Sequence, residues 1–245
     1  MRFSKVWTIA SKDFKIFRNK KGILYSLIGF QVFVSIGLPL IIQFASTKTG
    51  SFSDPIIPRL INAFSFWFVI GAAILPTSIA SYSLVGEKLE KSLEPLLATP
   101  VTDEEILIGK SLAAFIPAII SIYIGAIIFM SLIDIFSYKK LLFLYFPNWN
   151  IAVILFILSP LTCILDIGFN IIISSRVNDT RSAQQIGMLM ILPFATIYVL
   201  SEMNIISVTV NNLFIISAIV LIIDIILFYL IKNIFRREEI LTKWK

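Results

Sequence analysis

The sequence predicts an all-α integral membrane protein with six transmembrane helices. Of its 245 residues, 58% are apolar and only 15% are charged, too few polar groups to cover a soluble globule of this length. The apolar residues also fall in long continuous runs, whereas a membrane β-barrel needs many short alternating segments. We expect two further helices: an interfacial helix at the N-terminus and a cytoplasmic coupling helix between spans two and three.

Residues 1–21 are predicted to form an amphipathic helix that lies in the membrane interface. Apolar side chains recur at helical spacing on one face, and lysines lie on the other. The apolar face comprises Phe3, Val6, Trp7, Ala10, Phe14 and Phe17, and the opposite face carries Lys5, Lys12 and Lys15. The alternative is an extended basic tail, which the aromatic stripe disfavours.

Six apolar runs are long enough to span a bilayer, whose core of ~30 Å takes roughly 20 helical residues. The predicted spans are residues 22–45, 60–85, 106–133, 151–175, 186–201 and 213–231, within a single transmembrane domain over residues 1–245. The fifth run is short and contains Pro193, which leaves open a broken or partly re-entrant segment.

The basic residues predict the orientation, because cytoplasmic loops retain Lys and Arg. Of the 21 such residues, all except Lys48, Arg59, Lys139 and Lys140 fall in segments that share one side if there are six spans. We therefore expect a multi-pass protein of the cell membrane with both termini in the cytoplasm. No small-residue cleavage pattern follows the basic N-terminus, so we expect insertion without removal of a signal peptide.

A charged insert over residues 86–105 separates spans two and three. Its acidic and basic residues alternate beside several leucines, which predicts a short amphipathic helix. Pro95 and Pro100 predict a turn after it. Thr102 and Glu105 then form a predicted capping box at the start of span three.

The insert resembles the membrane subunits of ABC transporters of the second exporter class. The matching motifs are Gly86-Glu87-Lys88, Leu93-Glu94, Leu96-Leu97-Ala98-Thr99-Pro100-Val101 and Glu105-Ile106-Leu107-Ile108-Gly109-Lys110. The loop at residues 173–185 also looks like the family's second internal loop. The resemblance implies a permease dimer, with an identical or different second permease subunit, and two separate ABC ATPase subunits that bind ATP and Mg.

By this resemblance, the insert and the second loop would contact the ATPases. The coupling residues that it implies are Gly86, Glu87, Lys88, Glu90, Leu93, Glu94, Leu97, Pro100, Arg176, Asp179 and Arg181. This chain is then expected to bind no cofactor of its own, and its other partner is membrane lipid. Its basic charge is explained by topology, so nucleic-acid binding is not expected.

Two acids, Asp166 and Asp224, lie inside apolar runs at a similar predicted depth. Each must face an aqueous cavity, share a proton with the other, or remain protonated. Asn170 lies one helical turn from Asp166 on the same face. We hypothesise that these three residues border the translocation path; hydrogen bonding that only supports packing is the alternative.

Enzymatic activity is not expected of this chain. Gly109-Lys110-Ser111 matches the end of a phosphate-binding loop, but Glu104 occupies the position of the loop's first glycine. Lys110 is instead predicted to anchor span three at lipid headgroups. The chain has no histidine, which excludes Ser-His and Cys-His nucleophile pairs and histidine metal sites.

The sequence thus predicts the permease subunit of an ATP-driven ABC exporter. The alternative is a secondary transporter or channel driven by an ion gradient, in which Asp166 and Asp224 would bind the ion. The cargo is not indicated.

Overall fold

The structure, a computed structural model, describes residues 2–19, 21–49, 56–89, 101–141, 144–177, 179–203 and 205–234. These residues are helical apart from short connections, and no strand occurs among them. Six segments are long and apolar enough to cross a membrane, which confirms the prediction of a helical, multi-pass membrane protein. We number them spans one to six: Leu27–Phe44, Pro58–Tyr82, Asp103–Phe136, Trp149–Arg176, Thr180–Glu202 and Val210–Lys232.

The helices of spans one, two, three and six extend beyond these apolar windows. Helical geometry satisfies every backbone N–H and C=O within the segment, which a hydrocarbon environment requires. The N-terminal helix is Phe3–Asn19, and the helices of spans one and two are Lys21–Val32, Leu38–Thr49, Ile56–Ser65, Trp67–Ala72 and Leu75–Leu89, with a π-helical turn at Phe33–Gly37. Those of spans three to six are Asp103–Leu141, Trp149–Val153, Ser159–Arg176, Thr180–Gly187, Ile191–Glu202 and Val210–Ile234, with a π-helical turn at Ile154–Leu158 and a 3₁₀ turn at Met188–Met190.

Spans two and four form the centre of the bundle. The apolar windows of these spans are 78% and 61% buried, against 17% and 11% for spans five and six. Span four packs against spans two, three and six, and span two also contacts spans three and five. The exposed Ile, Leu and Phe side chains of the outer spans are compatible with lipid, because acyl chains are as apolar as these residues.

Span five is a continuous crossing segment. Its helix begins at Thr180, six residues before the predicted start, and the 3₁₀ turn at Met188–Met190 joins its two halves. Pro193 lies in the first turn of the second half, where the missing N–H costs least. The break that the sequence left open is therefore not found, and residues 205–209 after the span are irregular and form no re-entrant helix.

The end of span three and the start of span four are held by short-range polar contacts. Asp134 accepts hydrogen bonds from the backbone N–H groups of Tyr145 and Phe146, at 2.8 and 3.0 Å. Asn148 caps span four by accepting a hydrogen bond from the Ile151 N–H at 2.9 Å. The part of the connection that leads into span four is thus held to span three and capped at the start of span four.

Candidate functional site

The N-terminal helix packs directly on the first turns of span three. Val6, Ile9 and Ala10 are buried in this contact. A Cβ atom at Gly109 would lie 2.9 Å from Ile9 Cβ and 3.1 Å from the Val6 carbonyl oxygen. Glycine therefore permits an approach of the two helices that a larger residue would obstruct. The end of the bundle where these helices meet is called the terminal end below.

A buried ion pair reinforces this contact. Lys110 Nζ lies 3.7 Å from Asp13 Oδ2, and the two side chains are only 2% and 4% exposed. The prediction that Lys110 anchors span three at lipid headgroups is therefore wrong. Lysine reaches lipid headgroups from an exposed position, whereas the N-terminal helix covers Lys110 and Asp13 supplies the opposite charge.

The predicted capping box at the start of span three is confirmed. Glu105 Oε2 accepts a hydrogen bond from the Thr102 N–H at 3.2 Å, and the Glu105 N–H donates to Thr102 Oγ1 at 3.3 Å. The other Glu105 oxygen accepts a hydrogen bond from the backbone N–H of Arg2 at 2.7 Å. Glu105 thus fixes the start of span three and the start of the N-terminal helix together.

Part of the apolar face of the N-terminal helix is buried in the bundle, and part of it is exposed. Val6, Ala10 and Phe17 are buried in the bundle, whereas Phe3 and Trp7 are 74% and 48% exposed. The sequence placed all of these residues on one lipid-facing side. The structure instead buries part of that face against spans two and three and leaves an exposed aromatic edge.

The charged insert lies only partly within the described residues. The backbone of Gly86, Glu87 and Lys88 continues the helix of span two, which ends at Leu89. The other predicted coupling residues of the insert lie outside the described residues: Glu90, Leu93, Glu94, Leu97 and Pro100. Span three begins directly after this segment.

Most of the predicted second loop, residues 173–185, is helical, and the adjoining helix ends of spans four and five pack against the end of span two. Val85, Ile173 and Ala183 form a small buried cluster. Val85 immediately precedes the insert, so the first residues of the insert and the second loop lie side by side. The described start of the insert, at the end of span two, therefore adjoins the second segment that resembles an ABC permease loop.

The charged residues of this second loop lie at the adjoining helix ends of spans four and five. Arg176 ends the helix of span four and, like Arg181, is exposed. Asp179 caps span five, and its carboxylate accepts a hydrogen bond from the Ser182 N–H at 3.1 Å. This hydrogen bond stabilises the ionised form and holds the pKa of Asp179 below its usual value.

Asp166 lies in a fully buried polar cluster that joins spans two and four. Thr77 Oγ1 donates to its carboxylate oxygens at 2.8 and 3.0 Å, and Asn170 Nδ2 donates to Oδ1 at 3.0 Å. The predicted polar patch of Asp166 and Asn170 is confirmed. Gly187 of span five closes over the cluster, since a Cβ there would clash with Asn170 Oδ1 and lie 2.9 Å from Thr77 Cγ2.

Asp224 lies in a different environment. It borders a cavity of about 450 Å³ between spans three, four and six. Its side chain is 9% exposed, and neither carboxylate oxygen has a hydrogen-bond partner among the described residues. Near the terminal end, the cavity is bordered by Glu104 and Lys232, which form an ion pair at 2.9 Å.

The two intramembrane acids therefore do not form a pair. Asp166 is directed toward span two and bonded there, whereas Asp224 borders the cavity beside span three. Of the three states that the sequence left open for these acids, proton sharing between them is not found. Asp166 also does not border the cavity of Asp224.

Sequence reasoning missed two residues of these sites, Thr77 and Asp13. Both contact partners distant in the sequence; Thr77 and Asp166 are separated by 89 positions. Threonine is common in membrane helices and an acid in a basic helix reads as a solvated charge, so no local signal marks either residue.

No protein-family model matches the chain, and no curated protein matches it in a sequence comparison. Within the described ranges, no group of three His, Cys, Asp or Glu side chains is placed to hold a metal ion. The resemblance to ABC permeases therefore continues to depend on the motifs of the insert and the second loop.

Proposed function

We propose that this chain is the permease subunit of an ATP-driven ABC exporter. One observation supports the proposal: the end of span two, from which the insert continues, packs beside the segment that resembles the second loop, where Val85, Ile173 and Ala183 form a buried cluster. A soluble ATPase could contact both loops there at once. Two ATPase subunits would bind ATP and Mg, and a second permease subunit, identical or different, would complete the path.

The terminal end suits the transmission of movement into the membrane. The insert joins the helix of span two to that of span three, and span three is fixed to the N-terminal helix by the Asp13–Lys110 pair and the Arg2–Glu105 hydrogen bond. A displacement of the insert would therefore move these three helices together. ATP drives the change to the extent that the ATPases contact two arrangements of this end with different affinity.

The N-terminal helix is proposed to lie at the cytoplasmic membrane interface. Phe3 and Trp7 form its exposed aromatic edge, and aromatic side chains of this kind favour the headgroup boundary. Lys12 and Lys15 are also exposed and are suited to anionic lipid. Both termini would then lie in the cytoplasm of a cell-membrane protein.

Co-purification tests the proposal. We expect the tagged chain, solubilised in mild detergent, to retain an ATPase subunit, and a Glu87→Lys/Glu94→Lys variant to lose it because two charges of the insert are reversed. The matched control is Lys139→Glu/Lys140→Glu, which reverses two charges between spans three and four and should retain the ATPase. Isolation of the wild-type chain without any ATPase, together with transport in vesicles that lack ATP, would refute the exporter.

A gradient-driven transporter or channel that uses Asp166 and Asp224 is the second candidate. The observation that favours it is the Asp224 carboxyl, which has no hydrogen-bond partner among the described residues. The separation of the two acids into different environments weakens it, because they do not outline one ion path. Transport in vesicles that requires a pH gradient and no ATP would favour this candidate.

A further inference from the structure

The geometry points to a binding site for a lipophilic organic cation in the cavity at Asp224. The cation would place its charge beside the carboxylate and its apolar body against spans three, four and six. The inference that the cavity binds such a cation depends only on the cavity itself. The inference that this cation is the transported cargo rests on the exporter function proposed above.

The chain supplies no positive charge to Asp224 among the described residues. Lys232 is the cation that borders the same cavity, but its ammonium group is held by Glu104 at 2.9 Å. Lys232 also lies eight residues further along span six, roughly 12 Å at ~1.5 Å per residue. A carboxylate in such surroundings gains most from a ligand that brings its own positive charge.

The walls of the cavity select an apolar ligand body. They include Leu112, Phe115, Ile167 and Leu227, and the volume of about 450 Å³ lies within the range of ~300–1,000 Å³ typical of small-molecule sites. Ile164 and Phe228 also border the cavity and are 49% and 58% exposed. The cavity therefore opens toward the surrounding lipid, where lipophilic cations accumulate.

Other ligand classes fit this site less well. A bare metal cation needs several oxygen ligands, and the cavity near Asp224 offers only that carboxylate and the Ser111 hydroxyl. A neutral apolar molecule would leave the carboxylate without a partner, and an anion would be repelled. A lipid headgroup amine belongs at the membrane surface, about two helical turns away from Asp224.

Equilibrium binding to the purified chain tests the inference. The probes are tetraphenylphosphonium and tetraphenylborate, which share size and shape and differ in the sign of their charge. In phosphatidylcholine nanodiscs, after subtraction of the binding to protein-free nanodiscs, we expect saturable binding of the cation to the protein and at least tenfold weaker binding of the anion. Equal binding of the two ions would overturn the proposal.

Substitutions locate the binding. Asp224→Asn should weaken binding of tetraphenylphosphonium at least tenfold, whereas Asp224→Glu, which keeps the charge, should remain within about threefold of wild type. Because Asp224 has no hydrogen-bond partner among the described residues, the Asn variant is expected to fold. Ser111→Phe should also abolish binding by filling the cavity. Unchanged affinity in Asp224→Asn would overturn the proposal.

The lipid composition of the nanodiscs distinguishes an organic cation from the amine of a lipid headgroup as the ligand of this site. Replacing half of the phosphatidylcholine with phosphatidylethanolamine should leave the affinity for tetraphenylphosphonium unchanged, and competition by the amine lipid would overturn the assignment to an organic cation. Binding of the cation needs no ATPase. An absence of cation binding would therefore refute this inference without refuting the exporter proposal, which the co-purification experiment tests.

Discussion

At the scale of single residues, the buried charged side chains Asp166, Lys110 and Asp224 differ in whether they have a partner among the described residues. Asp166 and Lys110 are buried with partners from distant helices, and these contacts tie the helices together. Asp224 is nearly buried, and its carboxylate accepts no hydrogen bond from the described residues. Removing a partner in the first group should cost stability, whereas changing Asp224 should alter ligand binding.

Thr77 is expected to stabilise the bundle through its hydroxyl group. In Thr77→Val, Asp166 Oδ2 loses its hydrogen-bond donor while it remains buried, which costs about 1–3 kcal/mol. Thr77→Ser keeps the hydroxyl and should lose clearly less. Unfolding by SDS titration in mixed micelles measures both variants. Equal stability of the two would contradict this account of the cluster.

The Asp13–Lys110 pair predicts a non-additive result. Asp13→Asn removes the charge that faces the buried Lys110 ammonium and should lower the free energy of unfolding by about 3 kcal/mol. Asp13→Leu/Lys110→Leu removes both charges and should be more stable than Asp13→Asn. A double-mutant cycle on purified protein, made of Asp13→Leu, Lys110→Leu and the double variant, gives the coupling energy. Additive losses would mean that the two side chains do not interact.

At the scale of helices, close packing depends on the absence of a side chain at Gly109. In Gly109→Ala, the new Cβ would meet the Val6 backbone and Ile9, so the N-terminal helix must shift. We expect docking to weaken by about 1 kcal/mol, which corresponds to roughly fivefold faster trypsin cleavage after Lys12 and Lys15. Gly29→Ala is the control, because nothing lies within 4 Å of its Cβ. Equal cleavage of both variants would exclude a tight contact at Gly109.

The helices themselves could largely be predicted from the sequence, because a span is a local property of hydropathy and length. The capping box at Thr102 and Glu105 and the patch of Asp166 and Asn170 were predictable for the same reason, since they involve residues three or four positions apart. The start of span five was missed because Thr180–Gln185 is polar; its buried side is carried by small residues, Ala183 and Gly187.

Contacts between helices could not be predicted in this way. A basic, aromatic helix has the same sequence pattern whether it lies on lipid or on another helix. The contact between the N-terminal helix and Gly109 could therefore not be predicted. Helical rise predicts a similar depth for Asp166 and Asp224, but the direction that each side chain faces depends on how spans two, three and six are arranged around span four.

At the scale of the whole molecule, the position of the charges predicts how the bundle is oriented. Asn19 is the last residue of the basic N-terminal helix, and Thr209 precedes span six at the opposite end; both are exposed. In a Cys163→Ala background, Asn19→Cys should react with an impermeant maleimide only after cell lysis, whereas Thr209→Cys should react in intact spheroplasts. The reverse pattern would place the terminal end outside the cell.

The contact between the N-terminal helix and span three also imposes an order on biosynthesis. Arg2 and its partner Glu105 are 103 positions apart. At a synthesis rate of ~5–20 residues per second, the N-terminal helix is therefore made roughly 5–20 seconds before the part of span three on which it packs. During that interval Asp13 has no access to Lys110. The aromatic edge at Phe3 and Trp7 would hold the nascent helix at the bilayer surface until span three is inserted. The same two residues would thus anchor the helix temporarily during assembly.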